Sequence, residues 1–129
     1  MSNRRIEDLT FDTQKKYWQF DFEMKQARID YIVTCTLRTQ IEQNALYEQG
    51  RTKPGKIVTW TRNSNHIKGT AFDIAIMVNG KILWNPSLDA DGDGIAEYTE
   101  AGIIGEKVGL TWGGRFIGKT DAPHFEFRG

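Results

Sequence analysis

The sequence predicts an α+β fold, a small and mainly antiparallel sheet flanked by about three helices. Two observations carry that prediction. Segments with helical and strand periodicity follow one another in mixed order. Between Ala71 and Val78 the apolar residues Phe72, Ile74, Ile76 and Val78 recur with period two, and Asn79-Gly80 is a two-residue hairpin turn that returns the chain antiparallel.

In chain order, Asp12 is placed to cap a helix running to about Arg28. Tyr17, Phe20, Met24 and Ala27 share one face of it, which Trp18 and Phe22 widen, and a core explains all six. Tyr31 to Leu37 is rich in β-branched residues and reads as a strand. Plain alternation sets Val33, Cys35 and Leu37 on one face and Ile32, Thr34 and Thr36 on the other. Thr39 and Glu42 form a capping box for a helix that Gly50 stops after Gln49. Arg51 to Lys56 is a loop with Pro54 and Gly55, and Ile57 to Trp60 reads as a short strand. The strand Ala71 to Val78 holds Asp73 on its polar face between Ala71 and Ala75, small neighbours that leave space around a carboxylate. After the turn, Lys81 to Trp84 pairs back. A helix from about Tyr98 to Val108, closed by Gly109, covers the sheet, and a C-terminal strand turns Phe125 and Phe127 inward and His124 and Glu126 outward.

The 129 residues are enough for one domain, 1–129, with its own core. Seventeen basic and seventeen acidic residues cancel, so nothing marks the whole chain as a nucleic-acid binder. The lone Cys35 excludes an internal disulfide and fits synthesis in a reducing compartment. Met1 to Thr10 lacks the apolar run of a signal peptide, and no stretch is apolar enough to insert into a membrane. The expectation is a monomer made in the cytoplasm that reaches any outside target after release.

Both histidines lie in polar motifs, Ser64-Asn65-His66-Ile67-Lys68-Gly69-Thr70-Ala71-Phe72-Asp73 and Asp121-Ala122-Pro123-His124-Phe125-Glu126. Two imidazoles, a nearby carboxylate and a spare acid are the minimum for a hydrolytic zinc site, with three ligands, an open position for water and a general base. His66 comes from the loop Arg62 to Lys68, Asp73 and His124 from the polar faces of two strands. Pro123 biases Ala122 toward an extended conformation, which holds Asp121 beside the ion rather than on it. Taken alone, His66 reads as a surface residue and His124 as a hydrogen-bonded core residue. Taken together, with a carboxylate close to each, they favour the metal.

The combined pattern S-x-H-x-x-G-x-A-x-D, then Trp112-Gly113-Gly114, then D-x-P-H-F-E resembles the zinc peptidases that cut bacterial peptidoglycan peptides. That group includes vancomycin-resistance type D,D-peptidases and the L-alanyl-D-glutamate endopeptidases of phage endolysins. The run Gln43 to Thr52, with Pro54 to Thr59, is most similar to the L-alanyl-D-glutamate branch. The resemblance spans roughly Thr34 to Phe127 and implies a Hedgehog/D,D-peptidase-like fold with the zinc site on the polar face of the sheet. It implies His66, Asp73 and His124 as zinc ligands and Asp121 as the base that takes a proton from water and hands it to the leaving amine. Arg38 matches the arginine that holds the substrate carbonyl or oxyanion. Ser64 matches a substrate-binding or supporting serine. Trp112 and Glu126 match too, with structural roles explaining them equally well. The implied partner is peptidoglycan, acted on by a bacteriolytic enzyme that is phage-encoded or bacterial.

Asp89 to Glu100 satisfies D-x-D-x-D-G-x5-E, an EF-hand-like calcium loop. Its oxygen ligands fall at Asp89, Asp91, Asp93, the Ile95 carbonyl, Glu97 and Glu100, with Gly94 at the sharp turn. A helix follows the loop but a strand precedes it, so no paired EF-hand is expected. Three readings of function stay open: an L-alanyl-D-glutamate endopeptidase, a D,D-carboxypeptidase acting on D-Ala-D-Ala ends, and a metal-stabilised binding module without turnover.

Overall fold

Among the described residues, 2–129 of a computed structural model, the elements run α1 (Phe11–Gln26), β1 (Tyr31–Cys35), α2 (Gln40–Glu48), β2 (Ala71–Val78), β3 (Lys81–Ile82), α3 (Glu97–Lys107), β4 (Thr111–Trp112) and β5 (His124–Glu126). The strand order is β1-β2-β5-β4, with β3 pairing to β2, and every pairing is antiparallel. The fold is therefore the α+β arrangement that the sequence predicts. No helix among these residues is long and apolar enough to cross a membrane.

The alternation along β2 divides the molecule. Phe72, Ile74 and Ile76 are buried against Phe20 and Met24 of α1 and Ala101 of α3. Phe72 stacks on Phe125 of β5 with centroids 5.5 Å apart, and Phe20 meets Phe125 at 4.9 Å. Each such burial stabilises the fold by about 1.5–3 kcal/mol. Helix α3 lies tightly on β4 and β5 because Gly102 and Gly105 leave no room for a Cβ beside the rings of Trp112 and Phe125. With α1 and α3 on this face, Asp73, His124 and Glu126 are left on the other. The hairpin between β2 and β3 forms as expected, with Asn79 and Gly80 at φ 52° and 78°.

Several boundaries differ from the sequence reading, each for a local reason. Thr10, not Asp12, caps α1, its Oγ1 accepting from the Thr13 N–H at 3.3 Å. The helix stops at Gln26 because Arg28 takes φ 59°, and N–H groups of Arg28 and Ile29 close onto the carbonyls of Lys25 and Met24. Trp18, Phe22 and Ala27 face solvent, since the sheet covers only the stripe through Tyr17, Phe20 and Met24. Ile57 to Trp60 is not a strand. Its backbone finds no ladder partner, and the Gln43 side chain ties down Thr59 and Thr61 instead. β3 ends at Ile82, short of Trp84, and α3 is shifted one residue earlier than predicted.

The most consequential difference lies in β1, which ends at Cys35 rather than Leu37. Val33 pairs with Ile74, but the next pair is Cys35 with Asp73, so the ladder takes an extra residue at Thr34. Such a bulge reverses the facing of the residues beyond it. Cys35 therefore leaves the face of Val33 and joins that of Asp73.

Candidate metal centre and cleft

On the polar face, two imidazoles converge on one carboxylate oxygen. His66 Nε2 lies 3.1 Å and His124 Nδ1 3.0 Å from Asp73 Oδ1. Both histidines are buried. The structure thus brings together all three residues expected as ligands. Asp121 stands beside them, with a carboxylate oxygen within 4.8 Å of ligand atoms of Asp73 and His124.

The outer nitrogen of each ring is also engaged. His66 Nδ1 lies 2.7 Å from the Thr36 carbonyl, and His124 Nε2 lies 2.7 Å from Glu126 Oε1. A neutral imidazole offers one N–H and one lone pair. Each ring here has an acceptor at both ends, so without a metal only the imidazolium form satisfies the arrangement. With a divalent ion beside Asp73, the outer N–H stays pinned to its acceptor and the inner lone pair is released toward the ion. The residues fit zinc by this test. They also fit its ligand chemistry of imidazole nitrogen and carboxylate oxygen.

The supporting groups were only partly legible in sequence. Glu126, nearly fully buried, accepts from Asn65 Nδ2 at 2.7 Å and Arg128 Nε at 2.6 Å as well as from His124. Thr36 contributes a main-chain oxygen, which no residue pattern announces. Cys35 brings its sulfur within 4.8 Å of ligand atoms of His66 and Asp73, a consequence of the bulge. The Trp112-Gly113-Gly114 motif holds the loop before His124: Trp112 Nε1 donates to the Ala122 carbonyl at 2.8 Å and the Asp121 N–H to the Gly113 carbonyl at 2.8 Å.

Arg38 lines the cleft above the centre, its two terminal nitrogens donating to Gln43 Oε1 at 2.7 Å and Cys35 Sγ at 3.2 Å. Fully buried Gln43 passes its own amide protons to the Thr61 carbonyl and Thr59 Oγ1, which joins Arg38 to one wall of the cleft. Ser64 Oγ accepts from the His66 N–H at 3.2 Å, shaping the loop that presents the imidazole. The cleft has a volume of about 850 Å³ and is lined by the cations Arg38, Lys119 and Arg128 beside the acids Asp73, Asp121 and Glu126. Lys119 sits 4.3 Å from the centre of the Trp60 ring, linking the two walls.

Burial alone would push both imidazoles down, but neighbouring acids win. Asp73 and the Cys35 sulfur raise His66 to about 10, and Asp73 and Glu126 raise His124 to about 9. In return, Asp73 is held well below the usual carboxylate range despite burial, and Glu126 falls to about 2 beside His124 and Arg128. Asp121 goes the other way. Its residue presents surface to the cleft, yet crowding by protein and the charge of Asp73 push its carboxyl up.

These shifts set a stability window for the metal-free protein. The unfolded imidazoles lose their protons near 6.5, the folded ones near 9 and 10. Their pairing contributes fully below pH 6.5 and is lost as pH rises through 9 to 10. The Tm of chelated protein is therefore expected to fall steadily across that range. A Tm independent of pH there would count against the paired imidazolium arrangement.

The acidic loop gathers two overlapping clusters, Asp89 with Asp91 and Glu97, and Asp91 with Asp93 and Glu100, each with oxygens within 4.8 Å of one another. Backbone N–H groups inside the loop cap several of them, including those of Gly92 and Gly94 on Asp89 and of Ala90 on buried Glu97. Ile95 donates its N–H to Asp93. Glu100 Oε1 is buried with no hydrogen-bond partner among the described residues, and burial plus the charges of Asp93, Asp91 and Glu97 raise its carboxyl to about 7.

The chain is similar to known proteins in sequence and in fold. The sequence model of the D-alanyl-D-alanine carboxypeptidase family matches residues 58–127. Over 101 residues the chain is 39% identical to the peptidoglycan L-alanyl-D-glutamate endopeptidase CwlK of Bacillus subtilis (strain 168), covering 76% of this chain and 60% of that relative's length. Among solved structures, the Serratia marcescens L-Ala D-Glu endopeptidase ChiX superposes with a TM-score of 0.73 at 18% identity, over 98% of this chain and 88% of that one. The LdcB LD-carboxypeptidase superposes with a TM-score of 0.66 at 17% identity, over 94% and 59%. At such identities these two likenesses speak for the fold.

Proposed function

The chain belongs to the D-alanyl-D-alanine carboxypeptidase family of peptidoglycan peptidases, and from that premise we propose that it is a zinc-dependent endopeptidase cutting the stem peptide at the L-alanyl-D-glutamate bond. The observation that carries this reading is the pair of imidazoles sharing Asp73 Oδ1, each with its outer nitrogen pinned, on the floor of an open cleft. His66, Asp73 and His124 would hold the ion. Zinc, when bound, supplies Lewis acidity and a water acidic enough to attack near neutral pH.

The remaining work falls to the protein's own groups. Asp121 accepts a proton from the attacking water and passes it to the leaving amine, and its place beside Asp73 and His124 suits that transfer. Arg38, oriented by Gln43, steadies the scissile carbonyl oxygen as it gains negative charge. Ser64 fixes the His66 loop and offers its hydroxyl to the cleft. Lys119 and Arg128 suit the free carboxylates carried by the D-glutamyl side of the peptide. The identity with an L-alanyl-D-glutamate endopeptidase supports this bond over the D,D bond. Mass spectrometry of muropeptides after digestion tests the choice. A new amino terminus on D-glutamate is expected; released D-alanine makes the chain a carboxypeptidase, and no product leaves a metal-binding module.

The loop Asp89 to Glu100 is proposed, within the same single domain, to bind calcium. Support comes from the partnerless buried oxygen of Glu100 and the repulsion that raises its carboxyl, both of which a divalent ion would relieve. Because the loop leads into α3, which packs on β4 and β5, calcium would steady the scaffold behind His124. Calcium is expected to raise Tm. Glu100→Gln is expected to raise Tm without calcium and to blunt the rise with it. If calcium alters neither Tm nor the rate of wall lysis, the loop is only a solvated acidic turn.

A further inference from the structure

A second cavity, about 430 Å³, adjoins the cleft: Asp73 and Asp121 belong to the lining of both. The proposed reaction centre is thus a waist between two chambers. A bond held at the waist has substrate on either side of it.

The chambers differ in chemistry. The larger carries three cations, Arg38, Lys119 and Arg128, beside the acids Asp73, Asp121 and Glu126, the last of which pairs with Arg128. The smaller has Arg4 at its edge and is otherwise walled mainly by Ile32, Ala75, Ile82, Trp84 and Pro123. It lies along the sheet face opposite α1 and α3: Ile32 pairs with Ala75, Ile82 pairs with Met77, and Trp84 follows β3. Trp84 is 82% exposed, so its indole face is held open rather than spent on the core. Large apolar surfaces kept exposed beside a reaction centre mark a binding site more often than a packing fault.

Resting on the endopeptidase reading, we propose that this chamber is the subsite for the N-acetylmuramoyl-L-alanyl half of the substrate, with Trp84 as the platform for the sugar ring. The two halves of an L-alanyl-D-glutamate bond are chemically unequal. The D-glutamyl side bears free carboxylates and matches the cations of the larger chamber, Lys119 first among them because Arg128 already pairs with Glu126. The other side bears a methyl group, a lactyl ether and an uncharged pyranose whose C–H faces match an exposed aromatic plane. Arg4 is the donor available to the acetamido or lactyl oxygens. The scissile amide then crosses the waist between Asp73 and Asp121.

The test compares two synthetic substrates for the zinc-loaded protein, an L-Ala-D-Glu stem peptide with a free amino terminus and the same peptide on N-acetylmuramic acid. The ratio of their kcat/KM values is the readout. Wild type is expected to prefer the sugar-bearing substrate by about three- to tenfold. Trp84→Ala is expected to bring the ratio close to one, while Trp84→Phe, which keeps an aromatic face, retains most of it. A wild-type ratio of one, or a ratio unmoved by Trp84→Ala, overturns the subsite while leaving the endopeptidase intact. Failure to cut either substrate removes both readings together.

Discussion

Asp121→Ala is expected to bind zinc as tightly as wild type and to hydrolyse stem peptide about 10²–10⁴ times more slowly. The three proposed ligands do not include Asp121; His66 is anchored by the Thr36 carbonyl, His124 by Glu126, and Asp73 lies between the two rings. The loop also survives the change, because it is held by main-chain groups: the Asp121 N–H donates to Gly113 and its carbonyl accepts from the His124 N–H. Alanine therefore removes a proton acceptor and little else. The pH profile adds a second readout, since activity should rise with pH as this group ionises. In the variant that acid limb is expected to disappear along with the rate. Near-normal turnover of purified peptidoglycan by Asp121→Ala would show that the proton moves elsewhere.

How far such a site can be read from sequence depends on whether its signal is local. The capping box of Thr39 and Glu42, the Asn79-Gly80 turn and the alternation through Phe72, Ile74 and Ile76 are complete within a few residues, and each recurs in the structure. The meeting of His66, Asp73 and His124 was legible because two of the three sit on strands whose apolar partners declare which face is inward. Cys35 was misplaced because the bulge at Thr34 is set by pairing with β2, and nothing within Tyr31 to Cys35 encodes it. Trp18 and Phe22 look like core in a helical wheel, but how wide a stripe is covered depends on the sheet beneath. The Thr36 carbonyl and the buried Gln43 amide act through main-chain or long-range bonds, so composition and spacing are silent about them. Glu126 shows the intermediate case, a side chain whose face is predictable and whose partners are not.

Asp73→Asn is expected to abolish both zinc retention and hydrolysis, bringing activity to the level of the chelated wild type. The substitution is nearly isosteric and sits between Ala71 and Ala75 on the central strand, so the ladder with β1 and β5 should persist and circular dichroism should be unchanged. What disappears is the carboxylate oxygen that both imidazoles touch, and a neutral amide is a far weaker partner for a divalent ion. The same change makes a second, independent forecast for the metal-free protein. Asp73 is the largest of the influences raising His66 and His124, so without it both imidazoles should fall, with only Cys35 left to hold up His66 and Glu126 to hold up His124. The fall in Tm from pH 6.5 to 10 expected of chelated wild type should then be shallower in Asp73→Asn, because folding would take up fewer protons there. Loss of zinc alone could arise from any disturbance of the cleft. Loss of zinc together with a weakened pH slope points to Asp73 itself, since the slope is read with no metal present and depends on the same carboxylate oxygen.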